Sequence, residues 1–246
     1  MSEIAQQGRF SGRIALVTGA SRGIGYAVAR ALGREGAHVI ALARTLGGLE
    51  ELDDEIRTSG GSATLVVADL KDFDGIDRLG AGIYERWGKL DFVIGNAGIL
   101  GPISPIGHVE PKAWDEVMAV NVTANWRLIR SLDPLLKRSE AGRAVFVTSG
   151  AAVTRRAFWG PYSVSKAALE ALIATYARES EITPIKANLF SPGATRTAMR
   201  ARAMPGEDPE TLPLPEALIP SIFALLDPTL GISGRTFDFR QQAWRD

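Results

Sequence analysis

The sequence predicts one α/β domain: a doubly wound, parallel sheet of about seven strands with helices on both faces. Short apolar, β-rich runs alternate with helix-length segments along the whole chain. The apolar runs are nearly continuous rather than alternating, which suits strands covered on both sides. No linker, internal repeat or low-complexity stretch divides the 246 residues, a length that fits a single large core.

The first strand, "RIALV", runs into "TGASRGIG", Thr18 to Gly25, and then into the helical "YAVARALGRE". Glycines at G-x-x-x-G-x-G spacing permit a tight turn, and on their own imply nothing more. Between a strand and a helix they also make a phosphate site, because the helix N-terminus offers unpaired N–H groups and the positive end of its dipole. Gly19 then allows the turn, Gly23 lets the backbone approach a pyrophosphate, and Gly25 lets the helix pack close to its strand. The spacing departs from the common G-x-G-x-x-G fingerprint, and the absence of G-K-[ST] excludes a P-loop.

The second strand, "AHVIALA", ends at Ala43 and Arg44. At that place, roughly 20 residues past the glycines, an NAD site carries a carboxylate for the ribose 2′-hydroxyl. Arg44 suits a 2′-phosphate instead, with Arg22 as a second cation, so NADP(H) is expected rather than NAD(H). After the helix "GLEELDDEIRT" the third strand, "ATLVVAD", leads to Asp69 and Leu70. The helix "GIDRLGAGIYERW" precedes the fourth strand, "LDFVIG", which ends in "NAG", Asn96 to Gly98.

One long helix is expected over "PKAWDEVMAVNVTANWRLIRSLDPLLK", with Trp114 and Trp126 packing and Asn121, a poor helix former, inside it. Asn121 either bonds a backbone carbonyl locally or holds a water. The fifth strand, "RAVFVTS", delivers Ser149 to the edge where ligands bind, and its hydroxyl either caps a turn or holds a carbonyl oxygen. In "YSVSKAALEALIATYARE", Tyr162 and Lys166 stand four apart on one helix face, about 5–6 Å between Cβ atoms. A phenol with an ordinary pKa of about 10 needs such a neighbouring ammonium to serve near neutrality. "IKANLF" and "GRTFDF" complete the sheet. The segment 194–217, rich in proline, is read as irregular: a mobile lid over the carboxyl ends of the strands.

Lys+Arg and Asp+Glu both number 28, without long runs of one sign, which argues against nucleic acid or a membrane surface as partner. A small molecule is the expected partner. With no cysteine there is no disulfide or thiolate site, and His38 and His108 lack partner spacing, so no metal is expected. The opening "MSEIAQQGRFSG" has no signal-peptide pattern, and a cytoplasmic location is the expectation.

Taken in order and spacing, "TGASRGIG", "NAG", Asn121, Ser149, "YSVSK" and "SPG" resemble the short-chain dehydrogenase/reductase family, from about Arg13 to Phe239. The surrounding segments look most like a bacterial branch of oxidoreductases with poorly defined substrates. The resemblance implies a Rossmann-type fold and a catalytic tetrad of Asn121, Ser149, Tyr162 and Lys166. Tyr162 would be the acid or base, Lys166 would hold the nicotinamide ribose and lower the tyrosine pKa, Ser149 would orient the carbonyl, and Asn121 would secure a water. Cofactor contacts are implied for Gly19, Ser21, Arg22, Gly23, Ile24, Gly25, Arg44, Asp69 and Leu70. Further along they fall on Asn96, Ala97, Gly98, Tyr162, Lys166, Pro192, Gly193, Thr195 and Thr197.

The expected reaction moves a hydride between NADP(H) and a carbonyl or secondary alcohol. An enoyl reductase would separate its tyrosine and lysine more widely, and a sugar-nucleotide epimerase would carry a larger C-terminal part. A nucleotide-sensing or scaffold protein would have no need of Tyr162. Leu100, Ile103, Phe158, Trp159, Met199 and Met204 are the expected walls of an apolar pocket. Arg155, Arg156, Arg200 and Arg202 keep a 3-oxoacyl group on an acyl carrier or CoA as the alternative substrate. Ala167, Ala168, Leu169, Ala171, Leu172 and Ala174 make their helix apolar over a wide arc. A homo-oligomer, tetramer before dimer, is therefore expected.

Overall fold

The computed structural model describes residues 8–246. The first half alternates β1 (Ile14–Thr18), α1 (Gly23–Arg34), β2 (His38–Ala43), α2 (Leu46–Thr58), β3 (Ser62–Val67), α3 (Phe73–Trp87) and β4 (Phe92–Gly95). Then come α4 (Pro111–Met118), α5 (Ala124–Leu136), β5 (Arg143–Val147), the single turn α6 (Ala151–Thr154), α7 (Gly160–Glu179) and β6 (Lys186–Ser191). The chain closes with α8 (Ala198–Ala203), α9 (Ile219–Leu225), β7 (Thr236–Asp238) and β8 (Ala243–Arg245).

The sheet has eight strands in the order β3-β2-β1-β4-β5-β6-β7-β8. All neighbours are parallel except β7 and β8, which pair antiparallel. The expectation of about seven strands misses β8. Its three residues carry no strand pattern of their own, and it is held by pairing with β7 and by Trp244 meeting Phe237 edge-on at 5.4 Å.

Alternation along each strand feeds two apolar layers. Ala15, Val17, Val39 and Ala41 pack with α1, α2 and α9 on one face; Leu16, Ile40, Leu42 and Val93 pack with α3, α5 and α7 on the other. Strand order reverses about β1 and β4, so the loops leaving their carboxyl ends diverge and open a crevice.

The long helix is interrupted. Between α4 and α5 the segment Ala119–Thr123 widens into a π turn, in which the Ala124 N–H reaches back five residues to the Ala119 carbonyl. Asn121 sits there with its side-chain amide paired to the backbone of Ile99. Trp126, expected to pack, is 46% exposed, with the Arg127 guanidinium 5.7 Å from its ring.

At the opposite edge of the sheet, the fully buried Asp91 ties the start of β1 to the end of α5. It accepts hydrogen bonds from Ser139 Oγ at 2.6 Å, Arg13 at 2.9 Å, the Ile14 N–H at 3.0 Å and Lys89 at 3.1 Å. Burial opposes its ionisation, but the bonds from Ser139, Ile14, Lys89 and Arg13 outweigh it and hold the carboxyl below the usual carboxylate range. A depressed folded pKa contributes stability above the unfolded value that is lost as pH falls through the folded one. Asp91→Asn should therefore cost about 2–3 kcal/mol near neutrality. The gap to the wild type should narrow below the usual carboxylate range, as urea unfolding at several pH values would show.

Candidate active site

The carboxyl ends of β1, β2, β4, β5 and β6 surround one cavity of about 920 Å³. Its floor begins at the glycine turn. Gly19 has φ +67°, and a Cβ there would lie 2.9 Å from the Asn96 amide nitrogen and 3.1 Å from Ala97 Cα. Gly25 is bare for a different reason: its Cβ would run into the Gly19 carbonyl and the Asn96 amide.

Asn96 braces this turn from the neighbouring strand. Its side-chain nitrogen donates to the Thr18 carbonyl at 3.0 Å, while the Asn96 and Ala97 N–H groups both donate to Thr18 Oγ1 at 3.0 Å. The Thr18 hydroxyl, completely buried, was not singled out from sequence, although a threonine closing a strand just before a glycine turn is a usable signal.

Gly19, Ser21, Arg22, Gly23, Ile24, Arg44, Asp69, Leu70, Asn96, Ala97 and Gly98 all line the cavity. So do Ser149, Tyr162, Lys166, Pro192, Gly193, Thr195 and Thr197. Two residues assigned to the site from sequence do not. Gly25 is buried behind the turn, where it sets the close approach of α1 rather than touching the cavity. Asn121 is fully buried behind the wall. It accepts from the Ile99 N–H at 2.8 Å and donates to the Ile99 carbonyl at 2.9 Å, as a strand neighbour would, and donates to Ser165 Oγ at 2.9 Å. Its backbone carbonyl accepts from the Asn125 side chain at 2.8 Å. The local backbone bond considered from sequence is replaced by pairing across 22 residues.

Arg22 and Arg44 are exposed at the mouth, and neither has a carboxylate partner among the described residues. Thr45 beside Arg44 donates to Ser21 Oγ at 3.1 Å, joining the end of β2 to the glycine turn. Lys71 and Glu116 form a 2.9 Å ion pair at the same end. His38 lies apart from the site, its ring nitrogens 2.8 and 3.0 Å from the Ser62 and Thr64 hydroxyls.

Tyr162 and Lys166 rise from the first turns of α7, both buried. Lys166 Nζ donates to the Val147 carbonyl at 2.8 Å and lies 5.8 Å from the Tyr162 ring centre; no hydrogen bond joins the two side chains. At Gly98 a Cβ would stand 3.2 Å from the Asn121 side-chain oxygen, with the Lys166 ammonium next, at an ordinary contact distance of 3.5 Å. Burial raises Tyr162, with the Ser149 hydroxyl offsetting only part, and burial lowers Lys166 to about 8 against the pull of Glu170. With a midpoint of about 8, Lys166 is still mostly charged at neutral pH.

That shift has a sign that can be tested. Between about pH 8 and its ordinary 10.5 the unfolded chain keeps the Lys166 proton that the folded chain has released, so stability rises with pH over this window. Relative to Lys166→Met, the wild type should gain on the order of 3 kcal/mol across it, measured by denaturant unfolding at pH 7.5 and 10.5.

Leu100, Ala151, Tyr162 and Ala203 form an apolar cluster beside the reactive end, with Trp159, Met199 and Met204 packed on it. Trp159 meets Tyr162 edge-on at 6.0 Å. Ile103 and Phe158, expected as walls, turn outward at 43% and 56% exposure. The cause is the backbone: the Phe158 carbonyl accepts from the Ser104 N–H at 2.9 Å and Phe158 takes φ +73°, which points the ring away. The segment 194–217 is less irregular than expected. Thr197 caps α8 by accepting from the Arg200 N–H at 3.2 Å, and Arg200 is held by Glu207 through bonds of 2.5 and 2.6 Å.

Known proteins resemble this chain in sequence and fold. The sequence profile of the short chain dehydrogenases matches residues 13–208. The Escherichia coli K12 protein named uncharacterized oxidoreductase YciK is 38% identical over 237 residues, 95% of this chain and 94% of its own. A short chain dehydrogenase from Pseudomonas syringae superposes with a TM-score of 0.91 at 40% identity, over 97% of this chain and 98% of that one. One from Shigella flexneri, solved in complex with NADP, gives a TM-score of 0.91 at 38% identity, over 95% and 99% of the two chains. One from Escherichia coli CFT073, solved with NADPH, gives 0.90 at 38% identity, over 95% and 98%. Among the described residues no helix is long and apolar enough to cross a membrane. With a profile match over most of its length and relatives aligned from end to end, the chain belongs to the short-chain dehydrogenase family of oxidoreductases.

Proposed function

We propose that the protein is an NADP(H)-dependent oxidoreductase that interconverts a carbonyl and a secondary alcohol on a mainly apolar substrate. The observation that carries this reading is convergence: Ser149, Tyr162 and Lys166 line the same cavity as the glycine turn and Arg44. The cavity fits a dinucleotide, because Gly19 is bare exactly where a Cβ would crowd the turn and the N-terminus of α1 opens onto it. Arg44 and Arg22 favour the 2′-phosphate form, and two structural relatives were solved with NADP and NADPH.

When bound, the nicotinamide supplies or takes the hydride. The chain does the rest. The Ser149 hydroxyl holds the carbonyl oxygen, and Tyr162 gives that oxygen its proton in reduction or removes it in oxidation. A raised tyrosine pKa keeps the phenol protonated, the form that donates the proton in reduction. Lys166 holds the ribose side of the site and stands beside the tyrosine as a proton carrier. Asn121 acts from behind the wall, fixing Ile99 and, through Ser165, the first turn of α7.

The apolar cluster around Trp159 and Met199 excludes water, and the segment 194–217 moves to admit substrate. A panel monitored by NADPH oxidation should favour bulky apolar ketones and aldehydes. Activity confined to small charged keto acids would overturn the pocket assignment. A 3-oxoacyl group on an acidic carrier is the second reading, favoured by Arg202 at the cavity and Arg156 beside Met204 at 3.7 Å; its rates would fall steeply with salt.

We also infer a cytoplasmic homo-oligomer, tetramer before dimer; the outward side of α7, where Val164, Ala167 and Ala171 are exposed in one stripe, supports the assembly. Light scattering that gives a single monomer mass at micromolar concentration would reject it.

A further inference from the structure

Behind the reactive pair stands a second polar cluster that the proposed reaction does not use. Glu170 lies one helical turn beyond Lys166 on α7. Its carboxylate accepts from Thr148 Oγ1 at 2.8 Å and takes both arms of the Arg245 guanidinium, at 2.6 and 3.2 Å. The three residues come from the end of β5, the middle of α7 and the last residue of β8. Both charged side chains are largely shielded, at 21% and 18% exposure for Arg245 and Glu170. Thr148 is immediately before Ser149, and it too lines the cavity.

We propose that Arg245 is a positioning residue of the active site: by gripping Glu170 it fixes the Thr148–Ser149 end of β5 and sets how much negative charge Lys166 feels. The proposal rests on the reading of Lys166 as a working group of that site. The remaining surroundings of Lys166 leave this role to Glu170 and Arg245. β5 brings the Val147 carbonyl, the π turn brings Asn121, and α6 brings no ionisable side chain. Tyr162 is on the same helix. From α4, Glu116 reaches the cavity but is paired with Lys71, and the one charged residue of β6, Lys186, is at its far, amino end. Burial lowers Lys166, and Glu170 is the charge that pulls it back up.

The geometry makes two opposite expectations. Glu170→Gln removes the negative charge, so Lys166 should release its proton more easily, its midpoint falling by roughly one pH unit. Arg245→Gln leaves that charge uncompensated, so the midpoint should rise, by roughly half a unit. Arg245→Lys should sit between the wild type and Arg245→Gln. The readout is the 13Cε resonance of Lys166 in lysine-labelled protein titrated from pH 6 to 11, assigned by its loss in Lys166→Arg. A merely structural role would lower the melting temperature and leave the midpoints alone, or move them in one direction. Either result overturns the proposal. Where Arg245→Gln does not fold, Glu170→Gln against Arg245→Lys decides the sign. Because the resonance is read without substrate, a protein that turns over no carbonyl would count against the proposed reaction and not against this coupling.

Discussion

Tyr162→Phe should reduce turnover by about 10²–10⁴-fold while NADPH binds nearly as before. The substitution keeps the ring, and with it the edge-on contact to Trp159 and the packing against Leu100 and Ala203. Only the hydroxyl is lost, and with it the phenol proton donor that lines the cavity with Ser149. The measurement is single-turnover NADPH oxidation with the best ketone of the panel, beside a fluorescence titration of NADPH. A variant that retains most of the wild-type rate would remove Tyr162 from the chemistry, and the site would need another acid.

The second large effect is expected at the other end of the cavity. Arg44→Ala should weaken NADPH by roughly 10- to 100-fold, the value of one charge-assisted hydrogen bond to a phosphate, and leave NADH almost untouched. Arg44 follows β2, is exposed, and has no carboxylate partner among the described residues, so its removal leaves no buried charge unpaired. The selectivity ratio is then a clean reading of the 2′-phosphate interaction. The effect should shrink as salt is raised, because the guanidinium is at the solvent-facing mouth. Equal or tighter NADH binding by the unmutated protein would reject the assignment of Arg44.

Much of this site was legible before any coordinates. Gly19 and Gly23 carry their meaning locally: a strand that must turn at positive φ before a helix has few alternatives to glycine. That Tyr162 and Lys166 share one helix face follows from their spacing, while their role comes from the family resemblance; Arg44 is placed by its distance past the glycines. Where the reading failed, a residue was asked for its direction or its depth. Ile103 and Phe158 are as apolar as Trp159 and Met199, yet both are exposed, Phe158 on a backbone at positive φ. Gly25 packs α1 close to its strand as the motif predicts, and does not line the cavity.

The amino-acid sequence by itself determined the doubly wound order of elements, the turn that can cradle a pyrophosphate, the reactive pair on one helix face and the cation at the end of β2. Each of these depends on spacing within about 20 residues, the range over which periodicity and backbone sterics act. Only the tertiary structure decided that Asn121 leaves the wall to pair with Ile99 through a π turn, and that β8 joins the sheet. It also decided that burial drives Tyr162 up and Lys166 down, and that Arg245 closes on Glu170 across 75 residues. Burial and long-range pairing are properties of where distant segments meet, and a buried charge takes its energy from the neighbours that replace its water.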